Sequence, residues 1–225
     1  SWSDTIRVMN RCRPPVRINE LAIRYVTVTR NCPTSELGNI KPRLMMPTSM
    51  NAEPSIVYKK NSGISKFTDL KGKTLVSTAG SSNIKYVTET NAAQNLGISI
   101  VSANGHAEAF IMVETGRAAA FAMDDILLAG LVANSKNPSD FVIGSEALTV
   151  EPYGIMVRKD DPKFKKLADG VIIGLMQSGE ITKIYDKWFL KPIPPKGINM
   201  NVPISPSLKR VMAKPTDSPD PAVYQ

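Results

Sequence analysis

A chain of 225 residues is long enough to bury a sizeable core in one or two domains. Its 42% hydrophobic and 21% charged content is that of a globular protein, and no stretch approaches the roughly 20 apolar residues of a membrane-spanning helix. The net charge of +8 comes with only 6% aromatics. A nucleic-acid surface would interleave basic residues with stacking rings, so we read a solvated basic surface whose field helps to recruit an anion.

The opening Ser1-Trp2-Ser3-Asp4 has no basic region followed by an apolar run, so no signal peptide is expected. Cys12 and Cys32 are the only cysteines and His106 the only histidine. They make no spaced metal-ligand set, and one disulfide or two thiols both stay open. No metal and no cofactor is expected. Proline divides the chain: residues 56–189 hold three of the 17, residues 1–55 six and residues 190–225 eight. Seven of the ten arginines lie at or before Arg43. The middle therefore reads as the regular part.

In chain order, residues 67–72 are a short helical turn stopped by Gly72, and residues 73–78 a compact strand. Ala79-Gly80-Ser81-Ser82 turns the chain into a helix over 83–96 that ends at Gly97. A strand over 98–103 follows, then a loop with His106, a helix over 107–115 and Gly116. The unbroken apolar run 118–123 has the length of a buried parallel strand. A helix over 125–135, a turn at 136–140 and a strand at 141–143 complete this unit. Residues 153–159 form a strand leading out of it. Pro162 then opens an amphipathic segment whose core face carries Phe164, Leu167, Ala168, Val171, Ile172 and Leu175. Past Gly179 it continues through Ile181, Ile184, Tyr185, Trp188 and Phe189. The tail from 190 onward is proline-rich and is expected to lie extended on the surface.

Three groups should meet at one sheet edge, where open α/β sheets hold small ligands. Ser81 and Ser82 stand at a helix start, where unpaired N–H groups and the helix dipole favour a carboxylate; the competing role is a simple N-cap. Asp124 ends a buried strand. It either meets a ligand ammonium or caps the next helix, with Asp125 solvated in the first turn. His106 in its loop is either an ordinary surface histidine or a carboxylate partner. Together these groups suit an amino acid with an acidic side chain. No Gly-x-Ser-x-Gly and no activated nucleophile stands beside the histidine, and Ala79-Gly80-Ser81-Ser82-Asn83 lacks the glycines and lysine of a phosphate loop. The chemistry points to binding rather than catalysis.

Several stretches carry a resemblance. They are Phe67-Thr68-Asp69-Leu70-Lys71-Gly72-Lys73, His106-Ala107-Glu108-Ala109-Phe110, Glu114 through Asp125, Tyr153 through Pro162, Tyr185-Asp186-Lys187-Trp188-Phe189 and Ile193-Pro194-Pro195-Lys196. From about residue 55 to 224 the chain resembles the glutamate/aspartate-binding proteins of bacterial ABC transport systems, among the type II periplasmic solute-binding proteins. The resemblance implies a two-lobed α/β fold of periplasmic-binding-protein type II, closing on its ligand like a hinge. Residues 1–60 would be a partial first lobe, 61–152 a complete second lobe, 153–189 the return to the first lobe and 190–225 the tail. Strands near 56–60 and 153–159 would cross between lobes.

By the same resemblance, Thr78, Ser81 and Ser82 supply hydroxyls to the ligand, His106 meets its side-chain carboxylate and Asp124 its ammonium. Thr48 and Ser49 stand as remnants of a first-lobe binding loop. The implied ligand is L-glutamate or L-aspartate, and the implied partner is a membrane ABC permease. The implied state is a periplasmic monomer without nucleic acid. Before residue 55 the chain departs from the family pattern. Arg30-Asn31-Cys32-Pro33-Thr34 replaces a serine- and arginine-bearing motif, which reads as a truncated, partly frame-altered first lobe. A carboxylate left without its charged partner loses roughly 2–5 kcal/mol, so a reduced affinity is expected. A dehydratase-like enzyme using His106 or Asp124, and a non-binding remnant, are the competing expectations.

Overall fold

The computed structural model describes residues 42–158, 161–218 and 221–224, with the backbone alone at 42–51, 156–158 and 221. The part of the expected first lobe before residue 42, including Arg30 to Thr34 and both Cys12 and Cys32, lies outside the described residues. Two sheets organise the rest. Strand β1 (Pro42–Ala52) pairs antiparallel with β7 (Glu151–Arg158). Its register breaks between Met45 and Met50, the interval that holds Pro47, which has no N–H to give a ladder.

The second sheet has five strands in the order β4 (Ser99–Ala103), β3 (Thr74–Thr78), β5 (Ala120–Asp124), β2 (Pro54–Lys59) and β6 (Phe141–Ile143). Strand β3 runs parallel to both β4 and β5, and β2 runs antiparallel to β5 and β6. The apolar run of β5 has no polar alternation because helices cover both faces of the sheet. Ala120 and Ala122 face one core layer with Ile56, Leu75 and Val87, while Phe121 and Met123 face the other with Val57, Val76 and Phe110. Period-2 alternation thus sorts small residues to one side and large ones to the other. The helices are α1 (Ser82–Ala93), α2 (His106–Glu114) and α3 (Asp125–Asn134).

Strand β2 lies inside the five-stranded sheet, so that sheet begins before residue 61. The chain passes from one sheet to the other at Glu53, the single residue between β1 and β2, and again in residues 144–150.

Beyond β7 the chain forms α4 (Pro162–Gln177), α5 (Glu180–Tyr185), a wide helical turn at Asp186–Leu190 and α6 (Pro206–Ala213). Two expectations are corrected here. The expected core face of α4 is largely solvent-facing, with Phe164 43%, Leu167 64% and Val171 56% exposed. Ile172 and Met176 are the buried pair, packed with Val211 and Tyr224. At about 100° per residue, the buried stripe is turned by about one residue step from the expected one. Apolar residues on two sides of the helix offer two stripes, and the partner segment decides between them.

That partner is the tail, which does not lie extended throughout. Ser205 accepts the Leu208 N–H at 3.2 Å and Pro206 fills the first helical position, so α6 starts as a capped helix. Leu208, Val211 and Tyr224 are buried. Among the described residues no helix is long and apolar enough to cross a membrane.

Candidate functional site

The carboxyl ends of β3 and β5 and the first turns of α1 and α2 converge at one end of the five-stranded sheet. Thr78 is the last residue of β3 and His106 the first of α2. The Thr78 hydroxyl and His106 Nδ1 lie 2.7 Å apart, and His106 is the first residue of the helix rather than part of the loop before it. Gly105, in extended backbone, takes the N-cap place without a side chain, and Asn104 donates its N–H to the Glu108 carboxylate at 3.0 Å. The Thr78 hydroxyl has one hydrogen and a second neighbour, the Met123 sulfur 3.9 Å from its Oγ1, which can take that hydrogen. The hydroxyl can therefore donate to the imidazole or accept from it.

Ser81 behaves as a cap. Its Oγ accepts the Ile84 N–H at 3.2 Å and donates to the Thr78 carbonyl at 2.7 Å, while buried. Ser82 points its hydroxyl at Glu151, 3.0 Å away, tying α1 to the start of β7.

Asp124 occupies the cap position of α3 yet makes no capping bond. Its carboxylate, only 6% exposed, accepts from Asn83 Nδ2 at 2.8 Å on one oxygen and from the Tyr153 hydroxyl on the other. Burial and the adjacent Asp124 charge hold the Tyr153 phenol well above its usual range, so it stays a proton donor. Sequence reasoning missed Asn83 and Tyr153. Asn83 carried a signal in its place on the first turn after the Ser81 cap, opposite the strand end. Tyr153 carried none, because its strand belongs to the other sheet.

Thr48 and Ser49 fall in the irregular stretch of β1, and their side chains lie outside the described residues. Two hollows lie elsewhere. One, of about 390 Å3, is lined by Glu53, Ser55, Asp125, Ala129, Gly144 and Met200. The other, of about 580 Å3, includes Lys59, Lys60, Lys136, Glu114 and Asp140. Neither is lined by Thr78, His106 or Asp124. Among the described residues no cluster of histidine, cysteine and carboxylates could hold a metal.

The competing cap reading of Asp124 leaves Asp125 solvated, whereas Asp125 is half-buried in the first turn of α3. It accepts the Glu53 N–H at 3.0 Å at the crossing between the sheets. Burial raises its carboxyl to about 6, against the opposing pull of the Glu53 and Ile126 N–H groups. A raised folded value means that the folded chain keeps a proton which the unfolded chain has already released. The stabilisation is complete below the ordinary aspartate range and is lost as pH rises through about 6. Asp125→Asn is therefore expected to be more stable than the parent at pH 7, by up to about 3 kcal/mol for a two-unit shift, with the gap closing near pH 4. Thermal melts at pH 4, 5, 6 and 7 check this. A gap that stays constant across the series would contradict it.

The chain is 40% identical over 228 residues to the L-glutamate/L-aspartate-binding protein of Pseudomonas aeruginosa, covering 94% of this chain and 76% of that one. It is 41% identical over 184 residues to the glutamate/aspartate import solute-binding protein of Salmonella typhimurium, covering 82% of this chain and 61% of the relative. Among solved structures it is similar to a P235GK mutant of ArgBP from T. maritima, at 31% identity and TM-score 0.55 over 69% of this chain and 65% of that one. It is also similar to the GluR0 ligand-binding core from Nostoc punctiforme in complex with L-glutamate, at 25% identity and TM-score 0.54 over 70% and 69%. The fold is the α/β fold of periplasmic binding proteins of type II. Residues 43–191 match the model of the bacterial extracellular solute-binding proteins, family 3, and the chain belongs to that family.

Proposed function

We propose that this chain captures L-glutamate or L-aspartate in the periplasm and presents it, as a monomer, to the membrane permease of an ABC importer. The observation that carries the reading is the buried Asp124 carboxylate at the same strand edge as the Thr78–His106 pair. An α-ammonium suits Asp124, and a side-chain carboxylate suits His106 through Nε2, with Thr78 engaging Nδ1 behind it. Ser81 and Ser82 add hydroxyls at the start of α1, and Thr48 and Ser49 would approach from β1. The names of the two relatives and the glutamate held by the GluR0 core support this ligand class. We assign residues 54–143 to the second lobe, and β1, β7 and the helices after β7 to the first.

Calorimetric titration with L-glutamate and L-aspartate, read alongside intrinsic tryptophan fluorescence, tests the proposal. A micromolar ligand requires about −8 kcal/mol. With the serine- and arginine-bearing motif replaced in the first lobe, the expected dissociation constant is in the high micromolar to millimolar range. The saturable response should weaken in His106→Ala. Absence of any response at tens of millimolar ligand would overturn the reading, as would turnover of a prephenate-like acid by the purified chain.

A further inference from the structure

We propose that Asn83 and Tyr153 are positioning residues that hold the Asp124 carboxylate in one fixed orientation for an ammonium group, Asn83 from the first turn of α1 and Tyr153 from the strand that returns to the other sheet. This rests on the acidic-amino-acid reading above and concerns the same carboxylate.

Charge comes first. A carboxylate that is 6% exposed ordinarily needs a cation beside it. Among the described residues no lysine or arginine pairs with Asp124; the ion pairs there join Lys85, Lys165 and Lys183 to other acids. Its partners among the described residues are neutral donors, the Asn83 amide and the Tyr153 hydroxyl. Hydrogen bonds make the buried anion tolerable, but they bring no positive charge. An ammonium supplies what is missing.

Geometry comes second. Asn83 takes Oδ1 and Tyr153 takes Oδ2. One donor on each oxygen, from two separate elements, fixes the plane of the carboxylate. Each oxygen keeps a second lone pair, so acceptor capacity remains in a set direction. Preorganisation of this kind lowers the cost of ordering at the moment of binding.

The third observation is the state of Asn83 itself. It is 2% exposed, and its Oδ1 is buried with no hydrogen-bond partner. Leaving such an acceptor unmet destabilises the fold, a cost that an apolar side chain at this place would avoid. What the asparagine contributes in return is the N–H donated to Asp124. The orphaned carbonyl marks a position kept for its donor rather than for packing.

Tyr153 gives the arrangement a second consequence. It stands on β7, which pairs with β1, whereas Asp124 ends β5 of the five-stranded sheet. The Ser82–Glu151 bond joins the same two regions two residues away along β7. The carboxylate that receives the ligand is thus tied directly to the strand that returns across the molecule.

The test compares ligands with and without the ammonium. Glutamate and glutarate share both carboxylates, and only glutamate carries the amine. Dissociation constants for the two are measured by NMR titration on the parent, Tyr153→Phe and Asn83→Ala, with thermal melts of each chain as a folding control. In both variants the glutamate constant is expected to rise about tenfold, the scale of one hydrogen bond to a charged group, while the glutarate constant stays within about twofold of the parent's. Equal losses for both ligands, or no loss for glutamate, would overturn the positioning role. Tyr153→Phe removes a single oxygen, so it keeps the test decisive if Asn83→Ala does not fold. A parent that binds neither ligand would bring down the acidic-amino-acid reading itself, and this inference with it.

Discussion

Asp124→Ala is expected to abolish the saturable response to L-glutamate while leaving the chain folded. The ammonium of a bound amino acid would lose its anionic partner, and removing one side of a desolvated charge pair costs 2–5 kcal/mol or more. Since about 1.4 kcal/mol is a factor of ten, the affinity falls by roughly 30-fold to several thousandfold. From a starting point in the high micromolar range, that removes measurable binding. Stability should respond far less. The variant leaves Asn83 Nδ2 and the Tyr153 hydroxyl without the acceptor they share, but it also deletes a buried charge that no described lysine or arginine offsets. The two effects oppose each other. Titration of Asp124→Ala beside a thermal melt separates them: a folded variant that still binds glutamate within about tenfold of the parent would place the ammonium elsewhere.

Much of this edge is legible in the sequence. The glycines at 72, 97 and 116 mark where elements stop, and the apolar run before Asp124 has strand length, so the βαβ succession from β3 to β5 follows from local signals alone. Ser81 was open between cap and ligand contact, and its bonds to Ile84 and Thr78 are those of a cap. The rest depends on contacts distant in sequence. The acceptor of the Tyr153 hydroxyl lies 29 residues earlier, and Asp125 meets the Glu53 N–H 72 residues before it. No periodicity encodes either. The stripe on α4 illustrates the same limit. Its two apolar sides are equivalent until α6 and Tyr224 select Ile172 and Met176. The Ser205-Pro206 start of α6 was a readable signal, masked by the proline content of the region around it.

The largest expected effect on folding is at Phe121. The ring is fully buried on β5, which lies between β3 and β2 in the middle of the five-stranded sheet. It packs in the layer with Val57, Val76, Phe110, Met123 and Leu128. Phe121→Ala is expected to destabilise the chain by about 3–5 kcal/mol, because the cavity forms where two strands and two helices leave little room to collapse. Against a typical total of about 5–15 kcal/mol, that is a large share. The opposite face is built differently: Ala120 and Ala122 already fill it with methyl groups against Leu75 and Val87, so it cannot absorb the lost volume. Urea titration of both chains measures the difference, and a change below about 1 kcal/mol would mean that the layer repacks freely. The site should feel the same loss. Asp124 is the last residue of this strand, three positions beyond the ring, and its orientation relies on a strand that the ring holds in place. At temperatures where Phe121→Ala remains folded, its glutamate affinity should therefore fall with its stability, while the Thr78–His106 pair, carried on β3 and α2, changes less.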